Sequence, residues 1–387
     1  MNVIDKTENL VEFCSRLKNK EFITVDLEFL REKTYYAKLC LIQVGSFDDC
    51  AIIDPLSNDL DLEPFFEILF DKKIVKVFHS CRQDVEIIFN LTNKIPEPIF
   101  DTQIAAMVCG FGESVSYETL VNKIVKQELD KTSRLSNWAL RPLSEKQLQY
   151  ALSDVTHLRN VYINLKQKLE ETERLHWLDE EMEILKKPET YSINPNDVWQ
   201  KIKHRSHNVR FLTILRELAA WREKRCQRKN TLRQSLIKDE VLLNIVAIAP
   251  TTMEELSEIR NIRKDVLSGK LAEEILEVMV AAKKIKPEKY VVLPKEENNK
   301  NFSVALYELL KMLLKIVSQE EGVVAKLIAT DDNLRDLSSL KDEDNPVLKG
   351  WRKKIFGTQA LELREGKISI KYNKDKKTID ISKMAQE

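Results

Sequence analysis

Glu21-Phe22-Ile23-Thr24-Val25-Asp26-Leu27-Glu28-Phe29 decides the reading of this chain. Apolar Ile23, Val25, Leu27 and Phe29 alternate with Thr24, Asp26 and Glu28, the period of a β-strand, whose successive side chains point to opposite faces. Asp26 and Glu28 therefore lie side by side on one face. At an effective dielectric of about 20, two carboxylates roughly 4 Å apart repel by about 4 kcal/mol, so something positive has to offset the pair. A divalent cation, which favours carboxylate oxygens, suits the task. The same Asp-x-Glu spacing recurs at Asp61/Glu63 and Asp179/Glu181 in what reads as solvated helix, so spacing alone is weak. Further carboxylates downstream have to decide.

They are present. Lys73-Ile74-Val75-Lys76-Val77-Phe78-His79 is a short β-rich run leading into Ser80-Cys81-Arg82-Gln83-Asp84-Val85-Glu86-Ile87-Ile88-Phe89, which has amphipathic helical spacing and puts Asp84 in its first turns. Alone, such an aspartate reads as a partner of the helix dipole. Ser144 is an N-cap candidate for a long helix in which Tyr150 and Asp154, four apart, share one face. Alone, that pair reads as a core tyrosine beside a surface carboxylate.

The order Asp-x-Glu, then Asp, then Tyr-x-x-x-Asp is far more specific than any of its parts. With Tyr35-Tyr36-Ala37-Lys38-Leu39-Cys40-Leu41-Ile42-Gln43-Val44-Gly45, Phe100-Asp101-Thr102-Gln103-Ile104-Ala105 and Leu135-Ser136-Asn137-Trp138-Ala139-Leu140-Arg141-Pro142-Leu143, it resembles the family of 3′-to-5′ exonucleases with four acidic metal ligands and a tyrosine, and within it the ribonuclease D group. The likeness runs through nearly the whole chain. Ala37, where the family usually has proline, is one departure and concerns strand-edge geometry. The resemblance implies an α/β ribonuclease H-like exonuclease domain followed by two all-α helical domains.

Composition agrees. A chain of 387 residues exceeds one ordinary core, and its formal net charge of zero says nothing about a polyanionic partner. Charge distribution says more: Lys201 to Lys229 holds ten basic residues against Glu217 and Glu223, a footprint for phosphate or else a solvated helix face. The six cysteines form no Cys-x-x-Cys pair and read as free thiols in a reducing compartment. No apolar run approaches the roughly 18 residues of a membrane span, so a cytoplasmic protein without a membrane partner is expected.

Residues 1–187 alternate β-type and helical segments, with strands expected at 21–29, 35–45, 50–53, 74–78 and 98–100. Pro188 and Pro195 mark a linker. Helices are expected at 211–229, 238–248, 252–259 and 268–284, and the 197–286 block is similar to the small helical module that ribonuclease D shares with certain helicases (HRDC-like), although proline is missing near Leu232. After a second linker, helices at 306–320, 323–329, 331–337 and 345–356 make the 300–366 block similar to a second, divergent HRDC-like copy. Residues 367–387 are expected to be a loosely held tail.

The resemblance also implies the chemistry. Asp26, Glu28, Asp84 and Asp154 would hold two divalent cations, Mg²⁺ or Mn²⁺, with Asp26 bridging both, Glu28 and Asp154 serving the ion that carries the water, and Asp84 the other. Tyr150, with an ordinary pKa of about 10, would orient the water rather than act as base. Gln43, His79, Trp138 and Arg141 are candidates for contact with the terminal nucleotide or its phosphates; for His79 and Trp138 the alternatives are a structural hydrogen bond and a helix anchor. Arg222 and Arg225 are candidates for RNA phosphates. The expected reaction is stepwise hydrolysis from the 3′ ends of RNA, tRNA precursors by resemblance, without a small organic cofactor. The alternatives are a single-strand DNA exonuclease with the same site and a nucleic-acid-binding scaffold whose nuclease domain is silent.

Overall fold

A computed structural model of the chain describes residues 3–130, 133, 136–292, 303–375 and 377–384. Six strands, β1 (Val3–Ile4), β2 (Phe22–Leu30), β3 (Lys38–Gly45), β4 (Cys50–Ile53), β5 (Val75–Phe78) and β6 (Ile99–Asp101), form one mixed sheet in the order β1-β4-β3-β2-β5-β6. β2 pairs antiparallel with β3 and parallel with β5, so the acidic strand is central. Five strands lie where the sequence puts them; β1, two residues long, carries too little pattern to be read.

The helices of this part are α1 (Thr7–Leu17), α2 (Glu63–Leu69), α3 (Arg82–Thr92), α4 (Thr102–Val108), the short α5 (Tyr117–Leu120), the 27-residue α6 (Glu145–Glu171) and α7 (Leu175–Met182). Ser144 begins α6 with a capping box: its hydroxyl accepts from Gln147 N, and the Gln147 side chain accepts from Ser144 N. α6 lies across β2, β3, β4 and β5. The sheet face that carries Thr24, Asp26 and Glu28 is thus roofed rather than open, and Thr24 is as buried as Ile23. Gly45 lets the roof descend: a methyl group there would stand 2.6 Å from Thr24 Oγ1 and 3.3 Å from Val155 Cβ.

A separate apolar core fills the second part. It is built from Trp199, from Leu212, Leu215 and Leu218 of α8 (Val209–Lys229), from Leu242 and Ile245 of α10 (Asp239–Ile248), and from Ile275 and Met279 of α12 (Lys270–Lys283); the short α9 (Arg233–Leu236) and α11 (Met253–Ser257) complete it. Buried Glu223 of α8 accepts from the Tyr35 hydroxyl of the first part and from Arg233 of its own. Nearby, Tyr36 N donates to Asn230 Oδ1 at 2.9 Å, so the β2–β3 connection is tied to the helical module.

The third part starts with α13 (Val304–Glu321) and buries Leu310, Leu313, Trp351 and Phe356 in an apolar cluster continuous with that of the first part. Trp351 stacks on Trp177 of α7 with ring centroids 4.5 Å apart, and Arg352 pairs with Glu181 at 2.6 Å. Two expectations are corrected here. Gly350, at φ +50°, separates a turn at Pro346–Leu348 from helical residues that continue to Arg364, in place of one helix over 345–356. The tail is not loose among its described residues: β7 (Ile368–Asn373) and β8 (Thr378–Lys383) pair as an antiparallel hairpin. The alternation of charged and apolar residues there is a strand period, and Ile368 anchors it to the core.

Candidate active site

Three elements, β2, α3 and α6, carry the acidic side chains. Thr24 donates to Val155 O of α6 at 2.9 Å, which sets the helix one residue past Asp154 against the strand. As a result Asp26, Glu28 and Asp154 each bring a carboxylate oxygen within 4.8 Å of the others. Between Glu28 and Phe29 the register with β3 shifts, an irregularity that re-aims side chains at the strand end. α3 supplies Asp84 through a turn fixed from β6: Ser80, at φ +59°, and Cys81 both donate their backbone N–H to the buried Asp101 carboxylate, at 3.0 and 2.8 Å. The same carboxylate caps α4. Asp84 is buried outside the three-carboxylate cluster, near enough for its charge to act on Glu28 and for that of Asp26 to act on it.

The electrostatics are those of a site in need of a cation. Burial pushes the Asp26 carboxyl up to about 7 and, with the charges of Asp26, Asp154 and Asp84, that of Glu28 up to about 9. Burial and Asp26 lift Asp154 to about 8, against the Tyr150 hydroxyl hydrogen bond that lowers it. Asp84 is raised well above the ordinary carboxylate range by burial, then by Asp26 and Asp101. The cleft above them, about 270 Å³, is lined by Asp26, Leu27, Glu28, His79, Tyr117, Tyr150, Asp154 and Leu158, with neither lysine nor arginine among these residues. Clustered, desolvated carboxylates without a cationic partner are a donor set of hard oxygens, which fits divalent cations of the magnesium type.

Sequence comparison agrees. The family model described as 3′-5′ exonuclease matches residues 1–170, and that of the HRDC domain matches residues 211–279. Ribonuclease D of Bartonella henselae is 42% identical over 371 residues, 96% of this chain and 91% of that protein. The chain belongs to the ribonuclease D family. Ribonuclease D of Nitrobacter hamburgensis is 39% identical over 374 residues, covering 97% and 98% of the two chains. In three dimensions the chain is similar to Escherichia coli RNase D, an exoribonuclease involved in structured RNA processing, with a TM-score of 0.79 at 25% identity over 95% of this chain and 99% of that one.

Within this family frame the other candidate residues divide. His79 reaches the cleft, its Nδ1 3.0 Å from Thr102 Oγ1, and burial lowers its pKa so that the ring is neutral. Gln43 does not line the cleft: it is 0% exposed. Trp138, 2% exposed, packs with Leu41, Ile52 and Ala151 and sets its ring 6.0 Å from that of Tyr150, so it anchors α6 instead of stacking on a base. Arg141 is spent inside the fold, where its Nε and Nη2 hold Asp54 at 2.5 and 2.6 Å and Nη2 also donates to Cys40 O.

The assignment of RNA phosphates to Arg222 and Arg225 is also corrected. Arg222 is 2% exposed and paired with Asp239 at 2.7 Å; Arg225 holds Glu274 at 2.5 Å. Arg222 lies four residues from buried Leu218 and Cys226, and Arg225 four from half-buried Trp221, so charge density in the sequence overstated the basic surface. Lys201, Lys203, Arg205, Arg210, Lys224, Arg228 and Lys229 are the exposed remainder.

Two residues were not anticipated. The Tyr117 hydroxyl donates to the carbonyls of Ser153 and Asp154 at 3.1 and 2.8 Å, clamping α6 at the ligand itself, and its ring meets His79 at 5.5 Å. Ser116, which caps α5 by accepting from Thr119 N, is the only local sign that a helix starts there, and it does not reveal the long-range clamp. Asp101 was noted in the family-like Phe100-Asp101-Thr102 stretch, but its hold on the Ser80–Cys81 turn spans 20 residues.

Proposed function

We propose that the chain is a metal-dependent 3′-to-5′ exoribonuclease that removes nucleotides one at a time from RNA 3′ ends and releases 5′-mononucleotides, with tRNA precursors as the physiological class. The observation that carries this reading is the convergence of Asp26, Glu28 and Asp154, with Asp84 behind them, on one cleft whose described lining residues include neither lysine nor arginine. Asp26, Glu28 and Asp154, with Asp84 beside them, would hold the divalent cations. Mg²⁺ or Mn²⁺ held there would supply charge stabilisation for the attacking and leaving oxygens of a phosphodiester displacement.

The side chains do the rest. Tyr150 is held protonated, its phenol pushed up by burial and by the charges of Asp154, Glu28 and Asp26, so it cannot serve as base at neutral pH. Its hydroxyl donates to Asp154 and its oxygen is free to accept from the attacking water, orienting a lone pair toward phosphorus. His79 and Tyr117 wall the cleft beside the carboxylates, where the terminal nucleoside enters. The exposed basic residues of 201–229 supply backbone charge for the body of the RNA, which helical modules grip largely by shape. The second HRDC-like block at 300–366 braces the exonuclease domain through Trp351 and Trp177.

Six free cysteines, five of them buried, support a reducing, cytoplasmic setting. Among the described residues no helix is long and apolar enough to cross a membrane.

A 5′-labelled RNA and its DNA counterpart, each incubated with Mg²⁺ or with chelator, test the reading. Mg²⁺-dependent one-nucleotide ladders on RNA with release of 5′-mononucleotides are expected. Preferential shortening of the DNA would favour the deoxyribonuclease alternative, and no shortening of either would favour the scaffold.

A further inference from the structure

Among the described residues, Gln43 is a buried side chain beside the carboxylates whose amide packing does not explain. In the antiparallel register of β2 and β3 it stands directly opposite Asp26, and on its other side opposite Ile52 of β4. Directly opposed residues share a sheet face with Cβ atoms about 4.5–5.5 Å apart, so a glutamine amide, two methylenes beyond its Cα, reaches the neighbouring carboxylate. The shared face is the one that α6 roofs, with Ala151 of that helix fully buried. The amide is out of reach of RNA, being 0% exposed.

Among the described residues, neither Nε2 nor Oε1 of Gln43 has a hydrogen-bond partner. A buried polar group left unsatisfied costs about 1–3 kcal/mol, and an apolar residue of equal volume would avoid that cost. In the same layer, Trp138 presses on Leu41 and Ile52, the residues flanking Gln43, and its Nε1 is likewise unpartnered. A fold that needed only to fill this space would use methionine or leucine. The amide is therefore accounted for by something that happens at Asp26.

We propose that Gln43 is a positioning residue that acts through Asp26. With a divalent cation bound, Nε2 would donate to the Asp26 carboxylate and hold it in the rotamer that ligates the metal. A carboxylate is a stronger hydrogen-bond acceptor than a neutral group, and Gln43 stands directly opposite Asp26 in the sheet. Outer partners of this kind fix ligand orientation, and their loss typically costs about 10–100-fold in metal affinity or activity. This inference rests on the functional reading above.

Gln43→Met, which keeps volume and removes both polar atoms, tests it, with Gln43→Leu as a second apolar variant. Calorimetric Mn²⁺ titration of the full chain, melting temperature in chelator, and kcat and KM on a 3′-extended RNA are the readouts. Expected is a melting temperature in chelator equal to or above that of the unsubstituted protein, with Mn²⁺ affinity weakened about 10–100-fold, kcat reduced and KM for RNA unchanged. A lower melting temperature with Mn²⁺ affinity and kcat both intact would overturn the inference and make Gln43 a packing residue. If the unsubstituted protein binds no Mn²⁺ and cleaves RNA equally well in chelator, the functional reading fails instead, and Gln43 loses its role with it.

Discussion

Replacing Asp154 with asparagine should make the metal-free protein more stable at alkaline pH while destroying catalysis. The substitution keeps the shape of the α6 face and removes one charge from a cluster that, among the described residues, lacks a cationic partner. Burial and Asp26 raise the Asp154 carboxyl from 3.8 to about 8. A carboxyl whose folded value lies above its unfolded one costs stability: the cost is absent below the unfolded value, grows as pH rises and is complete above the folded value. A shift of about 4 units, 8 minus 3.8, corresponds to about 6 kcal/mol at about 1.4 kcal/mol per unit.

The incoming buried amide gives back about 1–3 kcal/mol if poorly bonded. A net gain of about 3 kcal/mol in chelator at about pH 8 follows, and for a domain of this size that is roughly 6–12 °C in melting temperature. At about pH 5 the retained cost is near 1.2 units, about 2 kcal/mol, which the amide penalty cancels, so the two proteins should melt together. Excess Mg²⁺ should stabilise the unsubstituted protein by about 3 kcal/mol at a hundredfold excess over the dissociation constant, and the variant less, closing the gap at pH 8. Thermal melts in chelator and in Mg²⁺ at both pH values measure all four quantities. If the variant melts at or below the unsubstituted protein in chelator at pH 8, the Asp154 charge is compensated from within the fold and the reasoning is refuted.

Three other outcomes are expected. Tyr150→Phe should lower kcat by about 10²-fold with RNA affinity unchanged, since only the water-orienting hydroxyl is lost; an unchanged kcat would remove Tyr150 from the reaction. Arg141→Met should cost about 3–5 kcal/mol by stranding Asp54, read as a drop in melting temperature, whereas a stable variant with a raised KM for RNA would return Arg141 to the substrate. The double reversal Lys224→Glu with Lys229→Glu should reduce the salt slope of RNA binding by about 2 without loss of stability, whereas Arg222→Glu should destabilise the helical module by breaking its pair with Asp239. An unchanged slope in the double variant would leave α8 without a role in binding.

The acidic strand was legible because a period of two and a carboxylate pair coincide at Asp26 and Glu28, and α6 because Ser144, Gln147 and the helical spacing of its apolar residues agree. What brings Asp84 and Asp154 to that strand was not local. The Asp101 hold on Ser80 and Cys81, the Thr24 bond to Val155 O and the Gly45 approach join residues 20 to 131 positions apart. Only resemblance could supply those pairings in advance. The arginines mislead for the same reason: Arg141, Arg222 and Arg225 look like phosphate ligands in one dimension, and each is neutralised by a carboxylate that lies between 17 and 87 residues away, Asp239, Glu274 or Asp54. In the tail, alternation was visible, but pairing of Ile368–Asn373 with Thr378–Lys383 required the two segments to be seen together.

Anomalous diffraction from crystals grown with Mn²⁺ tests most directly whether these carboxylates bind catalytic cations. Two peaks about 3.5–4 Å apart are expected, one within coordination distance of Asp26, Glu28 and Asp154 and the other of Asp26 and Asp84, and both should vanish in Asp26→Asn. A crystal of active enzyme with Mn²⁺ bound elsewhere and none between β2, α3 and α6 would contradict it.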